Sequence, residues 1–283
     1  MDDMVSLKPK LTRLKLSGVL ETLNGRLEQA MKDKWPYSQF LDSLLSDEVE
    51  RRDHKQLSRI LVRSGLDPSK TLETFDFCFS PRLHEPTIRE LAGCGFLERK
   101  ENCFFLGPSG VGKSHLAQAL GHEAARRGRE VLFRRTCTLL AWIGAGRGDG
   151  SLERRMKQVA ATDLLILDDF GLKPLSEEQQ SDLYELICDR YEKASIIITS
   201  NRDFAEWMGV FSNPLMGSAA MDRLVHRGIK IVIQGQSYRL ESFMKRAKSR
   251  GSESDKEEPP GELRTAAEAK NPKERQGGEK RAS

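Results

Sequence analysis

The stretch Gly107-Pro108-Ser109-Gly110-Val111-Gly112-Lys113-Ser114 matches the pattern GxxxxGK[ST], a glycine-rich turn that ends in a lysine and a hydroxyl residue. Glycines let the backbone wrap around a phosphate chain and point its N–H groups inward. In this pattern Lys113 reaches the β- and γ-phosphates, and the Ser114 hydroxyl holds Mg²⁺. The stretch therefore predicts a phosphate-binding loop, the Walker A motif.

The residues on either side of this loop have the patterns of a strand and a helix. Asn102 to Leu106 is a short, mostly apolar run directly before the loop, which is typical of a buried parallel strand. After the loop, apolar residues recur at helical spacing as far as Ala124, and Gly128 is predicted to end that helix. This order places the positive end of a helix against the phosphates.

A second motif combines a buried strand with two acids. Leu164 to Leu167 is fully apolar and is followed by Asp168 and Asp169, which is the form of a Walker B strand. We expect Asp168 to organise Mg²⁺ through its water shell, because that ion keeps several waters and takes few carboxylates. We expect Asp169 to orient and deprotonate the attacking water. The alternative is an ordinary core strand with a polar end.

Composition restricts the class of protein. An apolar fraction of 38% is enough for a core, and the net charge of +4 permits nucleic-acid binding without demanding it. No apolar run has the length needed to cross a bilayer. The five cysteines are scattered, which is typical of reduced core residues in a cytosolic protein, and neither they nor the histidines have metal-ligand spacing.

Strand and helix patterns alternate after residue 100, which predicts an α/β fold with a parallel sheet sandwiched by helices. Three further strands are predicted near 131–133, 196–198 and 229–233. The chain divides by composition into a small all-helical N-terminal domain, a linker, the nucleotide-binding core and a disordered charged tail, at 1–70, 71–100, 101–246 and 247–283.

The alternating residues Phe75, Phe77 and Phe79 predict one face of an extended segment within the linker. They either pack against the core or contact a nucleotide base.

A glycine-rich segment at 144–150 precedes a cluster of basic side chains. A flexible loop with clustered positive charge suits contact with a phosphate backbone, although an ordinary surface loop has the same composition. The candidate DNA-binding residues are Arg147, Arg154, Arg155 and Lys157.

Four segments in order, GPSGVGKSHLA, DLLILDDFGLKPL, IIITSN and DRLVHRGIKI, resemble the IstB family over residues 8 to 245. These are helper ATPases encoded beside the transposases of bacterial insertion sequences, close to DnaC helicase loaders within the AAA+ class of P-loop NTPases. The resemblance implies ATP and Mg²⁺ as cofactors and a cytoplasmic protein without membrane association. It also implies a homo-oligomer on double-stranded DNA that assists a transposase.

The same resemblance implies roles for individual residues. Residues 107–114 bind ATP, and Asp168 supports Mg²⁺. Asn201 matches the sensor-1 position, with Thr199 as the neighbouring candidate. Arg223 matches the arginine finger that AAA+ proteins insert into the neighbouring subunit's site, where it stabilises transition-state charge.

Two departures from the AAA+ pattern bear on activity. Many of these ATPases carry Glu where this chain has Asp169, so hydrolysis is expected to be slow. No C-terminal helical lid is predicted, and Arg239 is the candidate that could replace the lid's sensor-2 arginine in part. There are two alternatives to a transposition ATPase. One is a replicative helicase loader, and the other is a DNA clamp that assembles when it binds nucleotide but does not hydrolyse it. The DDFG and DRLVH segments favour the transposition ATPase over the helicase loader.

Overall fold

The computed structural model describes residues 2–80, 82–241 and 243–244. Residues 1–241 form one compact unit. The predicted tail at 247–283 lies outside the described residues.

The N-terminal region is helical, as predicted, and consists of α1 (Asp2–Arg13), α2 (Ser17–Asp33) and α3 (Tyr37–Ser64). The leucines from Leu11 to Leu27 recur at helical spacing except for a two-residue step between Leu14 and Leu16. The chain breaks there, between α1 and α2, where Lys15 has a φ of 57°. The break lets Leu11 and Leu27 pack around one small apolar cluster.

The two halves of α3 have different partners. Leu44, in the first half, packs with Val19 and Leu23 of α2. Ile60, in the second half, is only 2% exposed and belongs to the large cluster beneath the sheet. The helix therefore joins the N-terminal helices to the nucleotide-binding core as one rigid rod.

The segment predicted as a linker contains α4 (Glu85–Ala92) and α5 (Gly95–Glu98). The phenylalanines that predict an extended face instead surround a 3-10 turn at Phe77–Phe79, which the Asp76 carboxylate caps by accepting from two backbone N–H groups. The reason is local, since an Asp at this position competes with extended backbone by hydrogen-bonding residues two and three positions on.

A five-stranded parallel sheet lies at the centre of the unit, and it confirms the predicted fold class. Its strands are β1 (Asn102–Leu106), β2 (Val131–Arg135), β3 (Leu164–Asp168), β4 (Ser195–Ser200) and β5 (Gly228–Val232). They are ordered β2-β3-β4-β1-β5. The chain leaves β1 toward β2 on one side and leaves β4 toward β5 on the other, so a crevice opens between the carboxyl ends of β1 and β4. Ligands of open α/β sheets bind at such a crevice.

Helices cover both faces of the sheet, and they are α6 (Lys113–Arg126), α7 (Thr136–Ala145), α8 (Leu152–Ala160), α9 (Glu177–Arg190), α10 (Phe204–Trp207) and α11 (Pro214–Val225). Successive β3 residues alternate between the layers: Ile166 packs in the cluster that holds Leu120 of α6, and Leu165 packs in the cluster that holds Leu183 of α9. Each such buried side chain contributes about 1.5–3 kcal/mol to stability. The two cores fix the sheet and hence the edge that carries the motifs.

All five cysteines are free thiols. Cys94 and Cys103 are buried, as expected of core residues, and burial raises the pKa of Cys103. Cys78 and Cys137 are exposed, so the expectation that all five lie in the core is wrong. No helix among the described residues is long and apolar enough to cross a membrane.

Candidate nucleotide-binding site

The predicted phosphate-binding loop connects β1 to α6 at the carboxyl edge of the sheet. Gly107 and Gly112 have φ angles of 143° and 97°, a region that favours glycine. A Cβ at Gly107 would lie 2.1 Å from the carbonyl oxygen of Ile233. A Cβ at Gly112 would lie 2.7 Å from Cε2 of Phe75. The observed loop therefore requires glycine at both positions.

Lys113 is the first residue of α6, and its ammonium lies over the loop. Its Nζ donates to the carbonyl oxygens of Gly107 at 2.8 Å and Pro108 at 2.6 Å. Burial lowers the pKa of Lys113, while attraction by Asp169 and Asp168 opposes that shift. The ammonium and the N-terminus of α6 together place positive charge beside the loop, where a phosphate chain is expected.

The two Walker B acids are held by the neighbouring strand. Asp168 closes β3 and is buried, and its Oδ1 accepts from the Thr199 hydroxyl at 2.5 Å. The same hydroxyl accepts from the Asp169 backbone N–H at 3.1 Å. Asp169 has a φ of 56°, in the left-handed region. Thr199 thus contacts the side chain of Asp168 and the backbone of Asp169. From the sequence, Thr199 is a candidate only for the sensor-1 position beside Asn201.

A cleft of about 570 Å³ brings the two motifs together. Its wall includes residues 109–114 of the loop, both Walker B acids and Asn201, which follows β4. The structure therefore brings together the Walker A, Walker B and sensor-1 candidates named from the sequence. The further lining residues are Gly65, Asp67, Lys70, Thr74, Phe75, Asp76, Phe79, Ser80, His115, Gln118, Phe133, Arg135, Leu172, Tyr238 and Arg239.

The chain after β5 also lines the cleft, and of this segment only Arg239 is a candidate from the sequence. The Tyr238 backbone N–H donates to the Gly110 carbonyl at 3.0 Å, so this segment turns back over the loop. The Tyr238 ring packs edge-to-face on Phe79, with centroids 4.9 Å apart. Arg239 also lines the cleft. The described residues after β5 end at 244, and their helical stretch begins at 238. An aromatic residue in the polar stretch 234–239 is the only sequence signal for this contact.

The sequence matches the family of IstB-like ATP binding proteins over residues 9–246. The chain belongs to that family. A Pseudomonas aeruginosa protein named for ATP binding and for insertion sequence IS21 is 40% identical over 242 residues, which cover 86% of this chain and 91% of that protein. A Mycobacterium tuberculosis protein, named for ATP binding in an insertion sequence, is 39% identical over 83% of this chain and 94% of its own length.

The IstB-like core also resembles solved AAA+ structures. The AMPPCP-bound DnaA of Aquifex aeolicus is 26% identical with a TM-score of 0.52, covering 66% of this chain and 57% of that one. A crystal structure of DnaI has the same TM-score at 18% identity, covering 61% of this chain and 96% of that one, and supports the fold alone. Both agree with the P-loop NTPase (AAA+) class predicted from the motifs.

Arg223, the arginine-finger candidate of the IstB-like pattern, does not lie in the cleft. It belongs to α11 and lines a small depression beside Asn102, at the amino end of β1. Its guanidinium donates to the Ala219 carbonyl at 2.8 Å and lies 5.5 Å from the ring centroid of Tyr184. The cleft lies at the opposite, carboxyl edge of the sheet, so Arg223 cannot reach it within one subunit.

The four candidate DNA-binding residues do not line the cleft. The glycine-rich segment at 144–150 is not one flexible loop, because α7 continues through Ala145. Arg147 forms a two-pronged ion pair with Asp182, at 2.9 and 2.6 Å. Three of the four have a carboxylate partner, since Arg155 pairs with Asp149 and Lys157 with Glu153, whereas Arg154 is exposed. Their contact with DNA stays a prediction.

Replacing Thr199 tests how the acids are positioned. Thr199→Val keeps the shape but removes the donor to buried Asp168, so we expect a loss of about 1–3 kcal/mol in the free energy of unfolding. We also expect a weaker Mg²⁺ dependence of ATP binding, because Asp168 is no longer oriented. Thr199→Ser keeps the hydroxyl and should resemble wild type. Denaturant unfolding and Mg²⁺ titrations measure the two effects, and an unchanged Mg²⁺ dependence in the Val variant would contradict this role.

Proposed function

We propose that this protein binds ATP with Mg²⁺ in the cleft, assembles as a homo-oligomer on duplex DNA and hydrolyses ATP there, assisting the transposase of an insertion sequence. The observation that carries the proposal is the convergence of the Walker A loop, the two Walker B acids and Asn201 on one cleft. The insertion-sequence names of the relatives support the transposase as partner. Since bacterial DNA lies in the cytoplasm, the proposal implies a cytoplasmic protein.

The residues of the cleft fit a magnesium ion held together with ATP. Mg²⁺ is usually bound by one or two carboxylates, substrate phosphates and several waters, not by a cage of protein ligands. Asp168 uses Oδ1 for Thr199, which leaves Oδ2 for a water of the ion. Ser114, in the first turn of α6, is the second predicted ligand. The ion would neutralise charge on the phosphates.

The rim of the cleft supplies a surface for the nucleotide base. Phe75, Phe79 and Tyr238 line the side of the cleft next to the loop. Aromatic faces stack on bases, and the polar groups of Asp76 and Ser80 lie beside them. The hypothesis that the linker phenylalanines contact a base is therefore supported for Phe75 and Phe79, which line the cleft, and not for Phe77, which does not. Phe75 and Phe77 both also pack against the core.

Phosphate release by the full-length chain tests the proposed function. Turnover is measured with Mg²⁺ alone, with duplex DNA and with single-stranded DNA. Acceleration by the duplex supports the proposal, whereas acceleration by single strands only would favour a helicase loader. ATP-dependent binding to the duplex without any turnover would favour the non-hydrolysing DNA clamp. This is the second candidate function, and it rests on the shorter carboxylate at Asp169, where many AAA+ ATPases have Glu.

Mixing two inactive variants tests the role of Arg223. Because Arg223 lies outside the cleft of its own subunit, an arginine-finger role requires it to act in the site of a neighbouring subunit. Arg223→Ala and Lys113→Ala proteins are each expected to lose turnover by about 10³-fold or more. Mixed together, they should regain a measurable part of it, since some interfaces then combine an intact cleft with an intact arginine. Turnover of the mixture equal to the sum of the two alone would exclude action between subunits.

A further inference from the structure

The second half of α3 carries dense positive charge that the cleft does not use. Residues 51–64 read RRDHKQLSRILVRS, with five Arg or Lys residues and Asp53 as their one carboxylate. The structure shows the whole stretch as helix. Arg51 and Arg52 have partners, since they form ion pairs with Glu21 and Glu48.

The remaining three basic residues, Lys55, Arg59 and Arg63, form what we call the basic ridge. All three are exposed, and none forms a hydrogen bond or an ion pair with another described residue. They recur at every fourth position, so they lie on one side of the helix. With a rise of 1.5 Å per residue, they are about 6 Å apart along the axis and span about 12 Å.

The opposite side of the same helix is fixed in the core. Ile60 is buried in the cluster beneath the sheet, and Leu57 and Leu61 pack against that cluster. Arg134 of β2 donates to the Ser64 carbonyl at 3.0 Å, which holds the end of the helix. The basic ridge is therefore carried by a rigid element and keeps its spacing without a partner.

We propose that the basic ridge binds the phosphate backbone of duplex DNA. Along a duplex, each strand presents a phosphate for every 3.4 Å of axis, so about 12 Å of helix faces about three to four phosphates of one strand. Arginine forks match phosphate geometry. Proteins that hold single strands stack bases on aromatic side chains, and residues 51–64 contain no Phe, Tyr or Trp. The inference rests on the proposed function, because it assigns a surface to the proposed duplex.

The ridge is a better candidate than the predicted residues near α8. Arg147, Arg155 and Lys157 already have carboxylate partners within the chain. A phosphate would have to replace those carboxylates, which offsets much of the gain. The three cations of the ridge need give up only water and counterions, whose release drives binding to DNA.

The ridge is also connected to the nucleotide cleft. The helix ends at Ser64, and the next residue, Gly65, lines the cleft together with Asp67. The Asp67 backbone N–H donates to Gln118 of α6 at 2.8 Å, and its carbonyl accepts from His122 of α6 at 2.9 Å. Helix α6, which begins at the phosphate-binding loop, thus holds Asp67, which follows the helix that carries the basic ridge. We expect nucleotide in the cleft to affect DNA binding through this contact.

The test measures binding of the full-length chain to duplex DNA, with ATP and Mg²⁺, across a series of salt concentrations. The variant Lys55→Ala/Arg59→Ala/Arg63→Ala should bind about tenfold more weakly or worse at low salt. Each lost phosphate contact reduces the slope of log affinity against log salt by about 0.9, so the slope should fall by up to about 2.7 per bound subunit. The matched control Lys32→Ala/Lys173→Ala/Lys193→Ala removes three exposed charges elsewhere and should keep the wild-type slope. The charge-conserving variant Lys55→Arg/Arg59→Lys/Arg63→Lys should retain binding.

The outcomes separate the two proposals. If the wild-type chain binds no duplex DNA under any nucleotide condition, the proposed function is wrong, and the proposal for the basic ridge is wrong as well. If the wild type binds and the triple Ala variant keeps its affinity and salt slope, only the ridge is excluded. Binding of a fluorescent ATP analogue by each variant shows that the cleft remains folded. If the triple Ala variant loses both DNA binding and ATP binding, a specific role for the ridge is contradicted. Weaker DNA binding by Arg154→Ala would then identify the surface near α8 as the DNA site.

Discussion

Lys113→Ala is expected to weaken ATP binding at least a hundredfold. Lys113 supplies the one side-chain cation of the Walker A loop, and charge-assisted hydrogen bonds to the β- and γ-phosphates contribute about 1.5–3 kcal/mol each. Loss of two such bonds therefore costs about 3 kcal/mol or more, which is more than a hundredfold in affinity. Calorimetry with a non-hydrolysable ATP analogue and Mg²⁺ measures this change directly.

The controls separate charge from structure. Lys113 is only 6% exposed, so removing the whole side chain also removes packed methylene groups. Lys113→Met keeps an apolar stem without the charge, and it should lose ATP affinity as the Ala variant does while unfolding closer to wild type. Lys173→Ala removes an exposed lysine after β3 and should bind normally. Wild-type affinity in both Lys113 variants would mean that the cleft is not the nucleotide site.

The fold and the centre of the site are predictable from sequence because their signals are local. A strand buried on both faces is apolar throughout, so Leu164 to Leu167 marks β3 without tertiary information. The Walker A loop has its glycines, lysine and hydroxyl residue within eight positions. Because the carboxyl ends of parallel strands share one edge, Asp168 and Asn201 were expected to meet that loop, and they line the same cleft.

The remaining features depend on residues that are distant in sequence. Arg147 belongs to a basic cluster in the sequence, but its partner Asp182 lies 35 positions away on α9. Tyr238 reaches the cleft only because the chain after β5 turns back onto Gly110. The break at Lys15 lets α1 pack on α2, and its one trace in the sequence is the two-residue step between Leu14 and Leu16. No local pattern encodes these contacts.

The backbone at Asp169 gives a physical reason for an Asp where many AAA+ ATPases have Glu. With a φ of 56°, this residue occupies the left-handed region, where Asp and Asn are several-fold enriched because their short side chains hydrogen-bond locally. This region costs an L-residue about 1–2 kcal/mol because of its Cβ, and a longer acid such as Glu lacks the local hydrogen bonds by which Asp offsets part of that cost. We therefore interpret the shorter acid as a residue suited to the tight turn after β3.

Asp169→Asn is consequently expected to abolish turnover while leaving the cleft intact. Asn tolerates the same φ angle, so the variant changes the carboxylate alone, and ATP affinity should stay within about threefold of wild type. Its amide cannot accept a proton from the attacking water, and loss of a general base reduces rates by about 10²–10⁴-fold. Any ATP-dependent complex with DNA should then persist. Phosphate release and the lifetime of that complex are measured on the same preparation. Turnover equal to wild type would remove Asp169 from the mechanism, whereas faster release of DNA would contradict the expectation that the complex persists without hydrolysis.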